Sequence, residues 1–262
     1  MLGFSLSFDW LGTGEGLPEK VDAVLNALKA EGVKSIELRT VQEYHKSEDV
    51  LRVAERLWDE GFTITIHGTV KNEETAVSSI FSPLNKLFEN LRQPIIKVTI
   101  HPIDGENVKM LNTLADYIEK NNLPVVIALE NNRRMPDGSE GDSVKLVLDA
   151  VKQVDRKEVG VCWDMGHYAY WLTKNYPEEP AFLPDDEFLK RVIHTHIHAL
   201  SGFTTHFPLD SHKLPLKLFL EGLSFYYSGV YNIELEYPRY MAEREFLPSI
   251  VGSVRELRKQ CG

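Results

Sequence analysis

A closed (β/α)8 barrel of the α/β class (a TIM barrel), built as a single domain over residues 1–262, is the fold the sequence predicts. Short apolar segments alternate with amphipathic ones about eight times along the chain, as a barrel of this kind requires. The apolar segments recur roughly every 30 residues, the length of one strand plus one crossover helix. From the third segment onward each ends in His, Asp or Glu at one side-chain parity, the pattern of strands converging on a common rim.

The predicted strands are 2–7, 35–39, 63–67, 95–101, 125–130, 159–164, 192–198 and 231–236. Each is rich in Val, Ile, Leu or Phe and bounded by Gly, Pro, Asn or Asp. After the first comes LGTGEGLP, whose glycines have GxGxG spacing and run straight into Pro18. It reads as a loop, not as the phosphate cradle of a doubly wound sheet. Helix 17–30 places Val21, Val24, Leu25 and Leu28 on one stripe and stops before Gly32. Ser47 is positioned to cap the next helix, whose apolar face is Val50, Leu51, Ala54 and Leu57 and whose stop is Gly61. Further helices fit 73–90, 105–120, 142–151, 165–174, 214–223 and 241–259; Pro177 and Pro180 end the one that follows Asp164.

The composition narrows the function. Lys and Arg number 29 against 39 Asp and Glu, and the resulting net charge of −10 repels phosphate backbones, which argues against nucleic acid as a partner. No apolar run approaches the ~20 residues of a membrane helix, and residues 1–10 are too short and polar for a secretory signal. A soluble, cytoplasmic protein is expected. Cys162 and Cys261 cannot build a disulfide framework or a thiolate zinc site, and Cys162 reads as a small core residue.

The strand ends carry the chemistry. A lone His67 would ordinarily be a hydrogen-bonded surface residue, and a lone Asp164 a helix cap. Jointly the pattern says more. Of the 9 histidines, His67, His101, His167, His194, His196, His198 and His206 fall at a strand end or within one loop of it; His45 and His212 do not. Glu130, Asp164 and Glu234 would bring three carboxylates near one point, where repulsion is costly unless a cation neutralises it. An oxygen and nitrogen ligand set suits Mn²⁺ or Zn²⁺ first, and Mg²⁺ or Co²⁺ next.

The runs TIHG (His67), TIHP (His101), LEN (Glu130), CWDMGH (Asp164, His167), HTHIH (His196) and IELEY (Glu234), in this order, resemble the xylose isomerase-like barrels. That group includes sugar isomerases, ketose 3-epimerases, inosose and dehydroshikimate dehydratases, and the endonuclease IV branch. The resemblance implies a divalent metal held by Glu130, Asp164, His196 and Glu234, with His198 and Glu236 as same-parity alternatives. It implies an isomerase or epimerase acting on a small sugar or polyhydroxy carbonyl compound by proton abstraction through a metal-stabilised enediolate. Glu130 and Glu234 would be the catalytic bases, and His167 would orient a substrate oxygen. Glu37 or His101 would bind a distal hydroxyl; Arg133 with Arg134 reads first as a solvated loop and second as a grip on a substrate carboxylate or phosphate. Trp10, Trp163, Tyr168 and Trp171 read equally as a wall against water at the mouth and as core packing.

His67, His101, His167 and His206 stand where the endonuclease branch keeps ligands for further metal ions. The Asp-x-His pair of that branch is Thr204-Thr205-His206 here, and its tyrosine three residues past His67 is Val70, so DNA cleavage is not expected. Dehydration at the same site, multi-metal phosphoester hydrolysis, and a non-catalytic metabolite-binding barrel are the competing readings. An exposed apolar helix face would support a homodimer.

Overall fold

Eight parallel strands close on themselves in the computed structural model, which describes residues 1–210 and 213–261. His212 lies outside the described residues. The barrel strands are β1 (Leu2–Ser7), β2 (Ser35–Val41), β3 (Thr63–Gly68), β4 (Ile96–Ile100), β5 (Val125–Glu130), β6 (Val159–Asp164) and β7 (Val192–Ile197). An antiparallel hairpin follows, β8 (Ala199–Ser201) and β9 (Thr204–Phe207), and the last barrel strand is β10 (Tyr231–Ile233). β10 pairs with both β7 and β1, which closes the ring. The fold is the single-domain (β/α)8 barrel that the alternation predicts.

The helices are α1 (Phe8–Thr13), α2 (Val21–Ala30), α3 (Ser47–Asp59), α4 (Ala76–Phe81), α5 (Asn85–Glu89), α6 (Asn107–Lys120), α7 (Ser143–Val154), α8 (Met165–Asn175), α9 (Asp186–Leu189), α10 (Leu216–Ser224), α11 (Tyr237–Tyr240) and α12 (Phe246–Cys261). Parity assigns each strand residue a side. Phe4, Leu6, Ile36, Leu38, Ile64, Ile66 and Val98 are buried in the layer between strands and helices. Each such side chain contributes about 1.5–3 kcal/mol on leaving water. The alternate residues, including Ser5, Glu37, Thr65 and Thr99, are buried inside the barrel.

Four local expectations are corrected. The loop expected over 11–18 yields its first three residues to α1, and Gly14, at φ 76, closes that helix with its N–H on the Trp10 carbonyl at 2.7 Å. Ser47 does not cap α3: Lys46 occupies that position without a side-chain bond, and the Ser47 hydroxyl turns to Glu48. The helix expected over 73–90 is divided because Pro83 sits in a tight 3₁₀ turn, Ser82–Leu84, between α4 and α5. The last helix starts at Phe246, not near 241, because residues 237–240 form the separate turn α11. No described helix is long and apolar enough to cross a membrane.

Candidate active site

Three predicted residues meet at one atom. His196, at the end of β7, points Nδ1 at Glu130 Oε2 (3.1 Å) and Glu234 Oε2 (3.2 Å). Glu130 ends β5, and Glu234 lies one residue past β10, so β7 brings its imidazole between two carboxylates from either side. Glu130 Oε2 is also approached by His67 Nε2 (3.1 Å) and His101 Nε2 (3.3 Å) from β3 and the end of β4.

Asp164 belongs to an adjoining group. Its carboxylate caps α8 through the His167 backbone N–H at 2.6 Å, and His198 Nε2 lies 3.1 Å from Oδ1. The capping role and the cluster role therefore coexist in one residue. His167 Nδ1 is 3.3 Å from Asp164 Oδ2 and 3.7 Å from Glu130 Oε1, and it links the two groups. His206 Nε2, 3.6 Å from Glu234 Oε2, is the second link. The β8–β9 hairpin delivers His206, at φ 67, a left-handed conformation uncommon for histidine. Gly166 is required in this arrangement, because a Cβ there would collide with the His198 ring.

The remaining predicted residues separate by depth. Glu37 lies beneath His196, fully buried and bonded to Ser5, His194, His196 and Asn232. Glu236 sits at the rim in an ion pair with Arg239, apart from the Glu130–His196–Glu234 meeting point. Arg133 lines the mouth with its guanidinium over the Tyr170 ring at 5.7 Å. The mouth encloses a cavity of about 370 Å³ bordered by His67, His101, Glu130, Arg133, His167, His206, Glu234 and Glu236, a volume suited to a small ligand. Among the described residues, Trp10, Trp163, Tyr168 and Trp171 do not line it: Trp10 packs on Phe246, and Trp163, on the outward parity, packs on Phe188 and Phe219. A larger groove of about 1040 Å³ lies on the outer face between α8, α10 and α12, away from the clustered imidazoles.

Burial opposes ionisation of Glu37, Glu130 and Glu234, yet all three carboxyls are held well below the usual carboxylate range. His196 and His194 do this for Glu37, His196 and His101 for Glu130, and His196, His206 and Arg39 for Glu234. Burial likewise works against a charged His196, but the carboxylates around it raise its pKa well above the ordinary 6.5. His167 and His206 go the other way, to about 3, through burial and the neighbouring His198. Buried carboxylates that stay ionised demand cationic neighbours. Glu130 Oε1 and His196 Nδ1 are buried without a hydrogen-bond partner. That donor set fits a divalent cation, since oxygen and imidazole nitrogen are its ordinary ligands. Other groups with ligand atoms close enough to share an ion include His67–His101–Glu130, Asp164–His167–His198–His206 and Glu37–His194–His196.

Sequence reasoning missed several contributors. Arg39 reaches Glu234 Oε1 at 3.1 Å because the β2–β3 register shifts between Leu38 and Val41, with Thr40 at φ 66. Arg239 donates to Thr205 Oγ1 at 2.8 Å and steadies the hairpin beside His206. Asn131 ties β5 to β6 by accepting from the Asp164 N–H (2.8 Å) and donating to its carbonyl (2.9 Å). Its position directly after Glu130 was the available signal.

An eight-stranded parallel barrel with acids and imidazoles gathered at the C-terminal ends of its strands has the form of a barrel enzyme with its site at the mouth. The chain belongs to the xylose isomerase-like TIM barrel family, whose sequence model matches residues 25–250. No curated protein sequence matches it. Among solved structures it is similar to a xylose isomerase domain protein from Alicyclobacillus acidocaldarius (14% identity, TM-score 0.62, covering 99% of this chain and 97% of that one). It is also similar to a D-psicose 3-epimerase determined with D-fructose (14% identity, TM-score 0.62, 99% of both chains). A sugar phosphate isomerase/epimerase from Parabacteroides distasonis aligns with TM-score 0.56 at 15% identity over 99% of this chain and 98% of that one.

Proposed function

We propose that this protein is a divalent-metal-dependent isomerase or epimerase acting on a small sugar or polyhydroxy carbonyl compound. The observation that carries the reading is the convergence of Glu130 and Glu234 on His196 Nδ1 at the floor of a 370 Å³ mouth cavity. Glu130, His196 and Glu234, with Asp164 from the adjoining group, would hold the metal. When bound, the metal would supply Lewis-acid polarisation of a carbonyl and its neighbouring hydroxyl. Both glutamates are kept ionised by their imidazole neighbours, so each is able to take a proton from carbon beside the carbonyl. They approach from different strands, which suits removal of the proton by one and return by the other. His167, neutral and buried at the cavity wall, orients a substrate oxygen, and half-exposed His101 is available to a distal hydroxyl. Arg133 would receive an acidic substituent where the substrate has one. Loss of water from the same substrate class would begin with the same proton transfer.

A second reading, a multi-metal phosphoester hydrolase, is favoured by the two additional ligand groups around His101 and His206. Metal stoichiometry separates them. Elemental analysis of dialysed protein is expected to give about one ion per chain, whereas two or three zinc ions would favour hydrolysis. NMR of ketoses and keto acids in deuterated water is expected to reveal exchange at carbon beside the carbonyl, abolished by chelator and by Glu130→Gln. Exchange that persists undiminished in Glu130→Gln overturns the proposal.

A further inference from the structure

Beneath the mouth lies a second polar layer that the proposed chemistry does not touch. Glu37 on β2 is fully buried and lines no part of the cavity. Its carboxylate accepts from Ser5 Oγ (2.8 Å), Asn232 Nδ2 (3.3 Å), His194 Nε2 (3.0 Å) and His196 Nε2 (3.1 Å). A buried carboxylate is costly unless its lone pairs are satisfied, and here four donors satisfy them. Such an arrangement holds whatever is bonded to it in one orientation.

The consequence falls on His196. The bond that one imidazole nitrogen makes determines what the other can do. With Nε2–H directed at Glu37, Nδ1 is left facing Glu130 and Glu234, and it has no hydrogen-bond partner of its own. His198 is the counter-case: its Nδ1 accepts the His206 backbone N–H at 2.9 Å while its Nε2 faces Asp164, so both nitrogens are engaged. We infer that Glu37 is a positioning residue that holds the proton of His196 on Nε2 and so makes His196, rather than His198, the imidazole ligand of the centre. The inference rests on the metal-dependent reading of the site, but the proton's location is measurable without metal.

The test uses histidine-¹⁵N-labelled full-length protein, metal-free and loaded with Zn²⁺ alone. A slowly exchanging Nε2 proton on His196 is expected in both forms and is lost in Glu37→Gln. Competition with a chelator should show Zn²⁺ affinity falling 10- to 100-fold in that variant, the range for removing an outer-shell partner. Ser5→Ala removes a different donor from the same carboxylate; it should keep the Nε2 proton and a Zn²⁺ affinity within threefold of wild type. If both variants lose affinity alike, the effect is general loosening of the layer and the inference fails. It also fails if Nε2 of His196 is the metallated or unprotonated nitrogen, or if Glu37→Gln binds Zn²⁺ as wild type does. A wild type that binds no Zn²⁺ would sink the functional reading, while the metal-free Nε2 proton would still decide the role of Glu37.

Discussion

Between strands and helices, Ile36, Ile64, Val98 and Leu129 are buried in an apolar layer; one residue along, inside the barrel, Glu37, Thr65, Thr99 and Glu130 are buried as well. Barrel interiors are ordinarily filled by branched apolar side chains. This one contains three carboxylates fully out of water (Glu37, Glu130, Asp164), three wholly buried histidines (His194, His196, His198), and threonine hydroxyls at 65 and 99 without hydrogen-bond partners. The outer layer contributes stability through apolar area. The interior gives stability up, because buried charge costs several kcal/mol per ion unless well paired. Equal burial thus has opposite meanings on the two faces of one strand, and substitutions on the two faces should be separable in what they damage.

The largest effect is expected inside. Glu234→Gln removes one of two carboxylates facing His196 Nδ1 and should lower turnover at least 1000-fold, about 4 kcal/mol in the barrier, with a melting temperature close to wild type. Steady-state kinetics beside a thermal melt checks this; turnover within tenfold of wild type would break the contrast. On the other face, Ile64→Ala should cost about 3–4 kcal/mol of stability by opening a cavity in the apolar layer. Its metal content, by elemental analysis, should stay that of wild type, and loss of metal in the folded variant would blur the division.

Gly166→Ala sharpens the comparison within the mouth. Its Cβ would push the His198 ring away from Asp164, so turnover should fall about 10- to 100-fold while stability, read by urea unfolding, changes less than in Ile64→Ala. The smallest effect lies at the surface. Arg255 and then Arg258 hold the Glu31 carboxyl below its ordinary 4.5, although burial pushes it up. A depressed folded-state pKa means that the stabilisation is complete above pH 4.5 and vanishes as pH falls through the lowered value. Glu31→Gln should cost about 1 kcal/mol at pH 7, since both arginines are mostly solvated, and the gap in melting temperature should close in acid. A gap that widens in acid would contradict this.

How much was legible depends on whether a local rule governs the feature. The strand ends at His67, Glu130 and Asp164 could be read because period-two alternation and a following loop fix both the direction and the depth of a side chain. The contact of Arg39 with Glu234 could not be read, because the bulge that aims it there depends on pairing with β3. Ser47 misled because a capping residue is recognised by type, while the helix begins where the chain leaves β2. Glu37 and Glu130 looked alike from sequence, each one of a regular series of inward acids. The fold put one behind His196 and the other at the cavity.

Alternation, spacing and the polarity of strand ends were enough to determine the barrel, its mouth and the residue types gathered there, because each follows from periodicity within a single segment. Which acid faces which imidazole, and which nitrogen of His196 is left facing Glu130 and Glu234, was decided only when β2, β5, β7 and β10 were brought around one axis. The reason is geometric. A strand's own sequence sets which way a side chain points, but its partners across the barrel are set by the stagger of the other strands, and no local signal encodes that.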